Sequence, residues 1–225
     1  MYNDITACIL SGGKSTRMGE NKSLMKIGDK TVIERLKDQL QEIFSKIILI
    51  ANEPEEYSFL KLPLYPDIYP GRGPLSGIHS ALVNSTTDKC FIIASDIPLM
   101  KGEMIEYLIS YKTDKPITIA RANGFIQQLC GIYHKSLIAE AEKILLDKDQ
   151  AEERSTEQKK RKCRVLEMAE RLGAEIIDAE KLTFYSEDMY YNMNRQSEFR
   201  YVSLRLSSQV NAAQKKVEDF SRALD

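Results

Sequence analysis

The chain has 225 residues, 43% of them hydrophobic, and its 32 lysines and arginines nearly balance 33 aspartates and glutamates, leaving a formal net charge of −1. A chain of that length can bury roughly 70% or more of its unfolded surface, so one α/β domain is expected. The near-neutral charge offers no global field for nucleic acid or an anionic membrane, and no apolar stretch approaches the ~18 residues of a membrane span, so a cytosolic protein without either partner is expected.

In chain order, the first element is the apolar run from Ile5 to Leu10, a strand that empties into Ser11-Gly12-Gly13-Lys14-Ser15-Thr16-Arg17-Met18-Gly19-Glu20-Asn21-Lys22. This glycine-rich, cationic loop is suited to phosphate. Gly12 and Gly13 can reach backbone angles closed to other residues and let N–H groups approach an anion closely. Arg17 offers a planar fork and Lys22 a point charge, two complementary ways to neutralise phosphoryl oxygens. The spacing matches neither G-x-x-x-x-G-K-[ST] nor G-x-G-x-x-G, so a third kind of nucleotide site is required.

Thr31 to Phe44 follows, with Ile33, Leu36, Leu40, Ile43 and Phe44 on one helical face, and then a strand from Ile47 to Ala51. Asn52 sits just past that strand, and Asp67 lies in the loop leading to Gly71-Arg72-Gly73-Pro74-Leu75-Ser76-Gly77. Pro74 opens a helix that Ala81, Leu82 and Val83 close. The strand Phe91 to Ala94 ends in Ser95-Asp96-Ile97-Pro98, placing the Asp96 carboxylate at a buried strand end. There it can enter the shell of a magnesium ion, which prefers hard oxygen donors, or it can cap the next helix. That helix is marked by Met104, Ile105, Leu108 and Ile109, and further apolar runs fall at Ile117 to Ala120 and at Ile132 with Tyr133. Continuous rather than alternating apolar strands imply a sheet covered on both faces, mostly parallel and doubly wound, with ligands at the strands' carboxyl ends.

Residues 147–164 are densely charged and read as a solvated helical or loop insertion; Leu166, Ala169 and Leu172 resume helical spacing until Gly173, and a short strand is expected at Glu175 to Ile177. Asn192 and Asn194 flank Met193, so an extended segment would turn both amides to one side, whereas an Asx-turn would not. The main α/β domain is placed at 1–205 and an amphipathic helical tail at 206–225, where Leu206, Val210, Ala213, Val217, Phe220 and Leu224 repeat. Cys8, Cys90, Cys130 and Cys163 are far apart, with no C-x-x-C pair, and His79 and His134 are the only histidines. Reduced thiols, three of them in or beside strands, are expected, without a Cys/His zinc site.

These residues together resemble the molybdenum cofactor guanylyltransferase family. Leu10 through Lys22 matches its signature L-x-G-G-x-S-x-R-M-G-x-x-K, and Asn52, Asp67, Gly73-Pro74-Leu75-Ser76-Gly77, Asp96-Ile97-Pro98, the Gln127 to Tyr133 strand and Asn192-Met193-Asn194 agree in order. The resemblance implies a Rossmann-like nucleotidyltransferase fold and magnesium-dependent transfer of GMP from GTP to molybdenum-molybdopterin, with pyrophosphate released. It implies a GTP site of Leu10, Ser11, Gly12, Gly13, Lys22, Asn52, Asp67 and Asp96, with Arg17 meeting the triphosphate, Asp96 as magnesium ligand, and Arg17, Lys22 and Asp96 carrying catalysis. Gln127, Asn192 and Asn194 would fall on the pterin side, where the chain reads Gln127-Gln128-Leu129 for Gln-Pro-Leu and Asn194-Arg195-Gln196 for Asn-Thr-Pro. A monomer or weak oligomer in transient contact with molybdoenzymes or their chaperones would follow. Open alternatives are a related cytidylyltransferase, a sugar- or alcohol-phosphate nucleotidyltransferase of the same fold, and a non-catalytic GTP or pterin carrier. The cytidylyltransferases open with Ala-Ala-Gly where this chain has Leu10-Ser11-Gly12-Gly13, and Gly12 where an alanine would sit leaves more room for a purine.

Overall fold

A computed structural model describes residues 1–12, 21–147 and 164–208. Seven strands form one sheet in the order β5-β4-β1-β6-β8-β7-β9: β1 (Tyr2–Leu10), β4 (Phe44–Ile50), β5 (Leu64–Tyr65), β6 (Lys89–Ala94), β7 (Ile117–Ala122), β8 (Phe125–His134) and β9 (Glu175–Asp178). β2 (Lys26–Ile27) and β3 (Lys30–Thr31) make a separate small hairpin. β1 runs parallel to both β4 and β6, with Ala7 level with Ile47 on one side and Phe91 on the other. β8 is antiparallel to β6 and β7, while β9 runs parallel to β7. The sheet is therefore mostly parallel, as its apolar strands predict, with one reversed strand that their composition does not reveal.

Helices cover both faces. α1 (Val32–Ile43) and α3 (Gly102–Ser110) pack on one face, burying Ile33, Leu36, Leu40, Met104 and Leu108 against Ile9, Phe91 and Ile93. α2 (Pro74–Asn84), α4 (Ile138–Leu146) and α5 (Arg164–Leu172) cover the other, where Ile78, Leu82, Ile144 and Met168 meet Cys8, Ile92 and Tyr133. Burying such side chains contributes about 1.5–3 kcal/mol each, which is why successive residues of β1 and β6 are apolar whichever way they point.

Local sequence sets the helix ends. Thr31 Oγ1 accepts from the Glu34 N–H at 3.3 Å while a Glu34 carboxylate oxygen accepts from the Thr31 N–H at 2.7 Å, a reciprocal capping box. Gly73, at φ 81°, precedes Pro74 at the start of α2. Asn123 and Gly124, at φ 54° and 76°, form the tight turn between β7 and β8, a conformation Asn-Gly supplies at low cost.

Residues 196–208 are helical and continue across position 206. Val202 is fully buried with Met193, Ile27, Val32 and Leu99, and Phe199 and Leu206 pack alongside. This seats the start of the expected tail on the domain; its other apolar positions, from Val210 to Leu224, lie outside the described residues. Nearly all of the charged segment 147–164 also lies outside them, as does Cys163. Cys8, Cys90 and Cys130 are free, buried thiols in β1, β6 and β8.

Candidate functional site

The carboxyl ends of β1 and β6 lie side by side, with Leu10 level with Ala94. The ladder continues one residue beyond: the Ser95 N–H donates to the Leu10 carbonyl at 3.0 Å, and the Ser11 N–H to Ile50 at 2.9 Å. Ser11 and Ser95 are thereby fixed at the sheet edge where an α/β fold holds ligands. Their hydroxyls meet at 3.1 Å.

Lys22 enters the same place from a 3-10 turn, Lys22–Leu24, capped by Asn21. Its ammonium donates to Asn194 Oδ1 at 3.2 Å, joining residues 172 apart in the chain. Asn192, Met193 and Asn194 are exposed, buried and exposed in turn, the alternation of an extended segment with both amides outward. The Met193 N–H donates to the Asp96 carbonyl at 2.9 Å, pinning this segment across the end of β6. Glu198 accepts from the N–H groups of Asn194 and Arg195, at 2.7 Å for Arg195, closing the first turn of the C-terminal helix.

Asp96 is half-buried, and burial raises its carboxyl above the ordinary aspartate value; the Lys22 cation opposes that shift, and the negative charge of Glu198 adds to it. It caps no helix, because α3 begins only at Gly102 with Lys101 at its N-cap. Among the described residues no three His, Cys, Asp or Glu side chains gather as a metal cage. A single hard oxygen donor at an open strand end fits an ion that keeps waters and takes further oxygens from its ligand, as magnesium does.

Asn52 and Asp67 form a second group, beyond β4. The Asn52 amide donates to Asp67 Oδ2 at 3.1 Å and its oxygen accepts from the Asp67 N–H at 3.0 Å. Burial raises the Asp67 carboxyl and the Asn52 hydrogen bond opposes the rise. Asp67 and Leu10 both border Gly77 of α2, so this group adjoins the end of β1.

Among the described residues nothing lies within 4 Å of where a Gly12 side chain would start, and its φ lies outside the left-handed region that marks Gly71 and Gly73. That corrects one expectation for Gly12, which does not adopt a backbone angle that other residues avoid. Gly13 and Arg17 lie outside the described residues. Gln127, near the amino end of β8, donates to the Ala122 carbonyl at 3.0 Å and so braces the β7–β8 hairpin at this same edge of the sheet.

Neither histidine lies at this edge. His134 pairs with Lys89 at the opposite end of β6, and His79 is buried in α2 with Nε2 3.1 Å from Glu142. Among the described residues the site offers amides, hydroxyls, the Asp96 and Asp67 carboxylates with Glu198 beside them, and the Lys22 ammonium, a set suited to binding and orienting phosphates rather than to abstracting a proton from a weak acid.

Sequence reasoning missed the hydroxyl cluster beneath these groups. Tyr57, in the 3-10 turn Pro54–Leu60, has its ring buried and its hydroxyl 2.8 Å from Ser11 Oγ, 3.1 Å from Ser23 Oγ and 2.7 Å from Asn21 Nδ2. Polar residues in short turns carry no periodicity, so no pattern announces them.

Residues 7–163 match the family model described as a MobA-like NTP transferase domain. A relative from Carboxydothermus hydrogenoformans named probable molybdenum cofactor guanylyltransferase is 35% identical over 198 residues, 87% of this chain and 93% of the relative. One of the same name from Clostridium perfringens is 43% identical over 143 residues, 63% of this chain and 72% of the relative. Among solved structures, molybdopterin-guanine dinucleotide biosynthesis protein A from Archaeoglobus fulgidus superposes with a TM-score of 0.71 at 21% identity, covering 90% of this chain and 99% of that one. At that identity the match bears on the fold. No helix among the described residues is long and apolar enough to cross a membrane.

Proposed function

The chain belongs to the MobA-like NTP transferase family, and we propose that it transfers GMP from GTP to molybdenum-molybdopterin, yielding the guanine dinucleotide form of the cofactor and pyrophosphate. The observation that carries the reading is that one segment brings Lys22 and Asp96 to the same strand ends, Asn194 accepting from the Lys22 ammonium while the Met193 N–H donates to the Asp96 carbonyl, in a chain whose sequence from Leu10 to Lys22 shares the family signature.

In the proposed reaction the terminal phosphate of the acceptor attacks the α-phosphorus of GTP. One P–O bond forms there, the bond to the β-phosphate oxygen breaks, and that oxygen leaves with pyrophosphate. A phosphate monoester is largely ionised near neutral pH, so no side chain need act as a strong base. Lys22 then takes up charge on the phosphates, and loop N–H groups cradle them with Gly12 leaving the approach open. Gly13 and Arg17 are assigned to the triphosphate on the signature alone. Asp96 would hold a magnesium ion, which would neutralise phosphate charge when bound. Asn52 and Asp67, already locked to each other, read base or ribose. Gln127, Asn192 and Asn194 border the acceptor, with Asn194 also steadying Lys22.

Positioning of this kind can supply ~7–11 kcal/mol of the barrier, so a site without a histidine base suffices. The test is incubation with magnesium, molybdopterin and each nucleoside triphosphate in turn, reading pyrophosphate and product mass. GTP should give both. Turnover with CTP alone, or GTP binding without pyrophosphate, overturns the assignment.

A further inference from the structure

Five polar side chains from four separate segments converge beneath the site: Ser11 after β1, Asn21 and Ser23 beyond the glycine-rich stretch, Tyr57 from the turn after Asn52, and Ser95 after β6. Their donors and acceptors can be assigned almost completely. Asn21 Oδ1 can only accept, so Ser23, at 2.7 Å, donates to it. Ser95 donates to Ser11, which must pass its own proton onward to Tyr57 at 2.8 Å or Ser23 at 3.0 Å. The Asn21 amide nitrogen donates into Tyr57 Oη at 2.7 Å and to Glu56 at 2.8 Å. Either choice at Ser11 leaves one unbroken run of donors from Ser95, next to Asp96, to Asn21, next to Lys22. Tyr57 touches three of the other four members, and its ring is fixed in the core at 2% exposure.

We propose that Tyr57 is a positioning residue whose hydroxyl ties the two flanks of the nucleotide loop together and holds them in register with the strand end carrying Asp96. This deepens the guanylyltransferase reading and rests on it. The ordering of Ser11, Asn21 and Ser23 is completed during folding, so GTP meets flanks already set at their working separation. Without the hydroxyl, Ser11, Ser23 and Asn21 Oδ1 still bond in sequence, but the Asn21 amide nitrogen loses its acceptor in the cluster and is left with Glu56, so this flank is no longer tied to the buried ring. The nucleotide must then order that flank itself, an equal cost in ground and transition states, which raises KM and leaves kcat in place.

The experiment compares Tyr57→Phe with Thr6→Val. Thr6 Oγ1 lies 2.7 Å from Thr87 Oγ1 in a buried hydroxyl pair five residues earlier on β1, toward the sheet's other edge, so its loss removes a similar bond without touching the loop. GTP affinity is read by calorimetry, KM and kcat by pyrophosphate release, and folding by circular dichroism. Tyr57→Phe should weaken GTP binding about fivefold or more, the scale of one lost hydrogen bond, with kcat within about twofold of wild type. Thr6→Val should bind GTP as wild type does. Equal affinity in Tyr57→Phe and wild type, or equal weakening in both variants, overturns the inference. Should Tyr57→Phe not fold, Asn21→Ala removes the other end of the same tie and must weaken GTP to a like degree; unchanged affinity there overturns it too. Absence of GTP binding in the wild-type chain instead sinks the reading on which it stands.

Discussion

Replacing Gly131 with alanine should destabilise the whole sheet. Gly131 sits in β8, opposite Ile119 of β7, and an added Cβ would fall on the Thr118 carbonyl oxygen and come within 2.6 Å of Ile119 Cγ2. The first obstacle is backbone, so no rotamer change relieves it; β7 and β8 must separate locally. Overpacking of this kind costs about 1–3 kcal/mol, and each strand hydrogen bond stretched beside it adds about 1 kcal/mol, for a total of about 2–4 kcal/mol. In a chain of this size each kcal/mol lowers the melting temperature by about 2–4 °C, so a fall of roughly 4–16 °C is expected. Urea titration followed by far-ultraviolet circular dichroism measures it, with the slope unchanged and the midpoint lowered. A midpoint equal to that of wild type would mean the strands are not paired in this register.

Substitutions at three site residues give further outcomes. Asp96→Asn should lower pyrophosphate release about a hundredfold, the scale of one lost electrostatic group, and near-normal release would remove Asp96 from the catalytic machinery. Because burial raises the Asp96 carboxyl, that group's stabilisation is full below its ordinary value of 3.8 and is lost as pH rises through the folded value. The nucleotide-free Asp96→Asn protein should accordingly melt above wild type at neutral pH, and a lower melting temperature would contradict the burial argument. Lys22→Ala should weaken GTP by about 10- to 100-fold in calorimetry, as expected for a charge-assisted contact, and an unchanged titration would refute its role. Gly12→Ala should leave the melting temperature of the free protein unchanged, since among the described residues the new methyl meets nothing within 4 Å, yet reduce GTP affinity; equal affinity would mean the ligand does not approach there.

Much of the scaffold can be read from the chain because covered strands need apolar residues on both faces, as in Ala7, Cys8 and Ile9, and because α1 shows its buried stripe at helical spacing. The same continuity hides strand direction: β8 is apolar from Cys130 to Tyr133 whether parallel or reversed. The local clue to its reversal is Asn123-Gly124, a dipeptide whose two positive φ angles suit a hairpin. Of the site, Lys22 and Asp96 are legible because a motif and a strand end mark them. The bond between Lys22 and Asn194 is not, since nothing local relates residues 172 apart. Tyr57 is likewise silent, an aromatic residue in a charged turn whose hydroxyl acquires meaning only when four segments meet.

The placement of β1 between β4 and β6 governs when the site can exist during synthesis. Both neighbours of the first strand are made after it, and its second partner is whole only once Ala94 has left the ribosome. The last clasp, from Met193 to Asp96 and from Asn194 to Lys22, is translated later still. A nascent chain therefore passes through a long interval in which β1 is made but the Asp96 and Lys22 positions lack their final anchors, so the site takes its described form only after residue 194 has been translated.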